Sequence, residues 1–195
     1  MTEMPASLSM LLARHSLGGK HLGEPGPGDE ALRRMAEAAL RAPDHAGLVP
    51  FRLKLVRGEA RARMAALFER VALASGKEAA EAAIDAERAL RPPVTVAVVA
   101  RIDMGHPLVP AHEQWIAVGG AITNFLNAAH ALGFAGKMLS GHKVRQPAIQ
   151  AAFCEPGETL VGWISLGTPV RTPAAGHAKA GVDAVLREWP AAPAA

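Results

Sequence analysis

The stretch WIAVGGAITNFLNAAHALGFAG, Trp115 to Gly136, limits what this 195-residue chain can fold into more than any other segment. As a helix it is apolar almost all round, and its length is nearly enough to span a bilayer. Asn124, Asn127 and His130 interrupt it, and no charge asymmetry flanks it, so the spanning reading fails. Such a helix has to be covered, either by a protein core or by a subunit interface. The remaining elements must supply that cover.

The run VTVAVVA, Val94 to Ala100, is β-branched throughout, the signature of a strand buried on both faces. Phe51–Arg57, Phe134–Leu139 and Thr159–Gly167 read as three further strands. A first helix over residues 5–15 lines up Leu8, Leu11, Leu12 and His15, with Pro5 in its opening turn. A second starts at Asp29 as cap, places Leu32, Met35, Ala36, Ala39 and Leu40 on one face, and stops near Ala42 before Pro43. A third covers Glu59–Ser75, an alanine-rich fourth runs to Leu90, and a short one covers Pro147–Phe153. Four strands separated by helices predict an α/β or α+β architecture, in a single domain over 1–195. Beyond the last strand, residues 172–195 still contain the apolar segment GVDAVLREW. It needs cover, and a partner subunit is the expected place.

Several function classes are disfavoured early. Lys+Arg 21 against Asp+Glu 18 leaves a scattered charge of +3, and with Tyr absent the pattern argues against nucleic acid. The lone Cys154 excludes an intrachain disulfide, a CxxC pair and a cysteine zinc cluster, and reads as a small buried hydrophobe. GxGxxG, GxxxxGK[ST] and GxSxG are all missing. His106, His112 and Glu113 match no metal-ligand spacing and read as loop and helix-start residues, so no metal is expected. No basic region precedes the apolar residues of the N-terminus, which gives no secretory signal and an expected cytoplasmic location, with no membrane partner.

Three places carry candidate chemistry. Arg14-His15-Ser16 sets a guanidinium, an imidazole and a hydroxyl before a glycine loop, which suits a phosphate. Arg14 complementing a helix C-terminus is an equally good reading of that triplet. The second place is RAPDHAGLVPFRLKLV, Arg41 to Val56, where Asp44 and His45 sit in a loop punctuated by Pro43 and Pro50. The third is SGH at 140–142, just past the carboxyl end of a strand, where small residues let a flat ligand approach the backbone.

Together, ARHS near residue 15, RAPDHAGLVPFRL in the forties, NFLNAAHALGFAGKMLSG from Asn124 and LVGWISLGTP from Leu160 resemble the nitroreductase family, in order and with similar spacing. The resemblance is closest to its compact bacterial NAD(P)H nitroreductase branch. It implies an α+β fold, a three-layer α/β/α sandwich with a mixed central sheet, in an intertwined homodimer holding FMN non-covalently. It also implies ping-pong transfer from NAD(P)H through the flavin to a small electron-poor acceptor such as a nitroaromatic or quinone.

Carried over by position, Arg14, His15 and Ser16 match the phosphate and ribityl contacts. Arg41 and His45 match residues reaching the flavin bound mainly by the other subunit. Met138, Leu139 and Ser140 match the stretch running beside the ring, with a backbone N–H near Ser140 as the expected donor to N5. Arg171 is a further phosphate candidate. Ala128 to Gly133 match a region tied to the pyridine nucleotide, although alanines there suit helix packing better. No catalytic side chain is implied, because the cofactor carries the redox chemistry. The chain departs from the pattern at Val49-Pro50-Phe51 in place of Gln-Pro-Trp, at Leu139 in place of an arginine, and at Gly18 in place of a lysine. The apolar Val49 and Leu139 keep an alternative open, a flavin-binding protein with little turnover serving storage, sensing or partner binding.

Overall fold

The structure is a computed structural model that describes residues 4–170 and 180–189. Its helices are α1 (Ala6–Ala13), α2 (Asp29–Ala39), α3 (Glu59–Ala74), α4 (Ala79–Leu90), α5 (Ala111–Ala131) and α6 (Pro147–Phe153). Its strands are β1 (Leu22–Gly23), β2 (Phe51–Val56), β3 (Val94–Ala100), β4 (Ala135–Leu139) and β5 (Thr159–Pro169). The sheet runs β1-β5-β3-β2, and β4 also pairs with β5. The two-residue β1 is the element that sequence periodicity does not reveal, being too short to carry a period.

The mixed sheet expected for the dimer is antiparallel in every pairing described within one chain. Connectivity explains this. Between β2 and β3 the chain makes two helices, α3 and α4, and returns to the end of the sheet it left, so β3 runs back against β2.

Every residue of β3 is buried, as its composition requires. Val94, Val96, Val98 and Ala100 join a core with Met35 of α2 and Val118, Ala121 and Phe125 of α5. Ala97 and Val99 face the opposite core, made by α3, α4 and α6 around Met64, Phe68, Ile149 and Trp163. Helices thus cover both faces of one sheet, giving the three-layer α+β sandwich. On β5, Ile164 and Leu166 point to the first core, while Trp163 points to the second. A bulge shifts the register between Val98 and Val99, so that Leu160 turns to the same core as Trp163 despite its even position.

Helix α2 does not start on Asp29 as a cap. Gly28 is the N-cap, and the Asp29 carboxylate accepts from Arg57 at 2.5 Å. Helix α5 buries Gln114, Ala117, Val118, Ala121, Phe125 and Ala129, yet leaves Trp115 and Ile116 exposed. Leu8, Leu11 and Leu12 of α1 are likewise exposed, and α1 buries nothing within one chain. In the tail, Val182, Val185, Leu186 and Trp189 are exposed, Trp189 at 94%. No helix among the described residues is long and apolar enough to cross a membrane.

Gly162 sits at the bulge with φ 154°, and a Cβ there would lie 2.2 Å from the Leu139 carbonyl oxygen of β4. Gly162→Ala is expected to push β4 off β5 and cost about 1–3 kcal/mol, measured as a lower urea midpoint at unchanged slope.

Candidate functional site

At the carboxyl end of β4, a cavity of about 780 Å³ opens between the sheet and the α3–α4 pair. Met138, Leu139 and Ser140, the residues expected beside a flat ligand, form one wall with Gly141. Phe68 and Trp163 form an aromatic floor, with ring centroids 5.0 Å apart at 65°. Trp163 is also edge-on to Phe153, at 5.9 Å and 75°. Among the described residues its indole N–H is buried without a hydrogen-bond partner.

The rest of the lining mixes apolar residues such as Met64, Val71 and Ala89 with charged ones, and among these Lys77, Arg88, Lys137 and Lys143 outnumber the one carboxylate, Asp85. Asp85 lies on the buried face of α4, in line with Ala82 and Ala89. Its two oxygens accept from Lys77 Nζ and Lys143 Nζ, both at 2.8 Å. Burial alone pushes the Asp85 carboxyl up, but hydrogen bonds and charge from Lys143 and Lys77 outweigh it and hold the group below its ordinary value. Lys143 also sits over the Phe68 ring, 5.2 Å from its centroid.

None of these charged residues is legible from a motif. A signal was nevertheless present. Ala82, Asp85 and Ala89 fall on one helical stripe, and a carboxylate on an otherwise apolar stripe demands a counter-charge. The identity of that counter-charge was not readable, because Lys143 comes from a turn 58 positions along the chain.

The other expected residues lie apart from the cavity wall. Arg14 caps the end of α1, followed by exposed His15 and Ser16. That segment is nevertheless stitched to β4, because Leu17 N–H donates to the Gly136 carbonyl at 3.1 Å. The fold therefore brings the Arg14–Ser16 loop to the strand that carries Met138–Ser140. Arg41 and His45 are exposed and do not line the cavity. Arg171 lies outside the described residues.

The Asp44–His45 loop has a clear local role. Asp44 Oδ2 accepts from Val49 N–H at 2.7 Å and closes a turn in which Ala46 and Val49 have φ of 63° and 48°. A β-branched residue at positive φ is strained, and the aspartate bridge over-determines it. His45 Nδ1 lies 2.7 Å from Glu113 Oε2 at the start of α5. A carboxylate only accepts, which places the proton on Nδ1.

His106 Nδ1 accepts from the Leu108 and Val109 N–H groups and so shapes its own loop. No group of three or more His, Cys, Asp or Glu able to hold a metal occurs among the described residues. Cys154 is half-buried, its thiol donates to Gln150 Oε1 at 3.3 Å, and burial pushes its pKa up. Ala128 packs against the first core and Ala129 lies within it.

The description "Nitroreductase family" belongs to the family model that matches residues 12–168. The curated protein named "Putative NAD(P)H nitroreductase YdjA" from Escherichia coli (strain K12) is 36% identical over 166 residues, covering 84% of this chain and 88% of its own. Among solved structures, a nitroreductase-like family protein from Bacillus cereus superimposes with a TM-score of 0.77 at 21% identity, covering 96% of this chain and 97% of its own. A protein from Desulfovibrio desulfuricans, solved in complex with FMN, gives 0.72 at 22% identity and covers 97% and 99%. At those identities the two structures establish the fold.

Because the depressed Asp85 carboxyl is stabilising when ionised, its contribution is fully present above the unfolded value of about 3.9 and is lost as pH falls below it. Asp85→Asn is therefore expected to lower stability at pH 7, with the deficit shrinking below about pH 4. Chemical denaturation of both proteins across pH 3–7 reads the difference, on an order of magnitude set by that linkage.

Proposed function

This chain belongs to the nitroreductase family and is an oxidoreductase; on that premise we propose that it is an FMN-dependent enzyme passing electrons from NAD(P)H to an electron-poor small molecule, a nitroaromatic or quinone. One observation carries the reading. The cavity at the end of β4 combines a strand backbone for a flat ring, an aromatic floor and a cationic wall.

The residues present fit the cofactor. A volume of about 780 Å³ is within the ordinary range for an organic ligand. Trp163, whose indole N–H has no partner among the described residues, lines the cavity beside Phe68. The four cations suit a ligand that is anionic and becomes more electron-rich on reduction. FMN, when bound, supplies two-electron chemistry that no side chain here provides.

The residues then divide the work. Arg14, His15 and Ser16, held beside β4 through Leu17, hold the phosphate and ribityl chain. Met138, Leu139 and Ser140 present the backbone edge to the ring. Arg41 and His45, turned away from the cavity of their own chain, reach the flavin of a partner protomer. The bare apolar faces of α1 and α5 and the apolar tail residues 182–189 are the surfaces such a homodimer would bury. Arg171 remains a phosphate candidate by position alone.

The purified protein is expected to be yellow, with bands near ~370 and ~450 nm that bleach on anaerobic NADH or NADPH, as a working flavoenzyme requires. Bands that persist would favour a flavin-binding protein with little turnover, and no bands after added FMN would end the proposal. Arg14→Ala should weaken FMN binding roughly ten- to a hundredfold, the loss of one charge-assisted contact, at nearly unchanged Tm. A large drop in Tm with unaltered FMN affinity would assign Arg14 to the end of α1 instead.

A further inference from the structure

We propose that Asp85, Lys77 and Lys143 form the charge-bearing wall of the flavin pocket: Asp85 is a positioning residue that pins two ammonium groups at the cavity, and their surplus positive charge favours the reduced ring over the oxidised one. The inference rests on the FMN reading above and adds the residues that set the potential of the cofactor.

The geometry behind it is specific. A single carboxylate, 5% exposed, is shared by two lysines at 2.8 Å each. One carboxylate offsets one ammonium, so the cluster keeps one positive charge. Lys77 precedes α4 and Lys143 lies in the 3-10 turn His142–Arg145, directly after the β4 end that carries Leu139 and Ser140. All three residues line the cavity.

The other lining cations are placed differently. No ion pair holds Arg88 or Lys137 among the described residues, and long free side chains are readily screened. Lys143 is fixed from two sides, by Asp85 and by the Phe68 ring. The strand itself offers an apolar Leu139 at the position where the resemblance places an arginine. The pinned pair therefore supplies from another element a fixed charge that Leu139 does not.

Hydride from a reduced nicotinamide carries two electrons and one proton. The nicotinamide is oxidised, and a ring that takes no second proton gains one negative charge. A fixed positive charge beside the ring lowers the energy of that state relative to the neutral oxidised one.

The test compares the full-length holoprotein with Lys143→Met, Lys77→Met and Lys143→Arg. Oxidised FMN affinity is read by quenching of flavin fluorescence, and the midpoint potential by anaerobic equilibration with reference dyes. Each methionine variant should lose about tenfold of the preference for reduced FMN, the effect of one nearby charge. For a two-electron couple that is a midpoint lower by ~30 mV. Lys143→Arg should keep the parental potential. Two methionine variants guard against one failing to fold, since each leaves Asp85 with one lysine partner. A potential unmoved in the folded methionine variants, or an arginine variant that falls as far as Lys143→Met, overturns the inference while leaving FMN binding intact. A parent protein that takes up no FMN defeats the proposed function itself, and this inference with it.

Discussion

The pairing of β5 is the constraint on which the rest of the structure depends. This one strand bonds to β1, β3 and β4, so every part of the sheet except β2 touches it directly. Its bulge lets Leu160 and Trp163 serve the same core although an unbroken alternation would separate them. Gly162 and Gly136 allow the close approach of β4 on that strand, since a Cβ at either would meet a carbonyl oxygen at 2.2 or 2.5 Å. Moving β5 would move the end of β4, and with it the wall of the cavity.

The cavity combines two physical demands that usually conflict. Its floor is an aromatic cluster continuous with the hydrophobic core, while its wall holds a carboxylate that is almost fully buried. A buried charge persists only when paired and hydrogen-bonded. Two lysines meet that requirement, and one of them, Lys143, ties α4 to the turn after β4, so a contact that satisfies Asp85 also joins opposite sides of the pocket. Electrostatics and pocket shape therefore have a common origin. On the other side of the sheet, α5 gives one face to the core and leaves Trp115 and Ile116 without cover in a single chain. A homodimer that covers them would also make use of the exposed α1 leucines.

The loop between α2 and β2 shows how local chemistry and recognition share residues. Asp44 is spent on the turn, where it holds the Val49 N–H and a strained backbone. His45 is spent on Glu113, which ties the loop to the start of α5. The apolar Val49, at φ 48°, owes its conformation to that staple. Both polar residues thus have an intrachain role, and any contact with a cofactor across an interface would be made by a loop already held rigid.

The chain order of α2 to α6 and of the four longer strands was legible from periodicity, because burial of one face imposes a period on sequence within each element. The uniform β-branched run of β3 declared burial on both faces, and α5 declared itself through its apolar length. Met138, Leu139 and Ser140 share one cavity wall because they are consecutive at and just past the end of β4. Pairing direction, the two-residue β1 and the bulge were not legible, because each depends on a partner strand distant in the chain. The Asp85 cluster belongs to the same class. Sequence alone determined that an alanine-rich helix ends at Leu90; only the tertiary structure decided that Asp85 lies on its buried face and which lysines meet it, because a counter-charge is chosen by proximity in space and leaves no period along the chain.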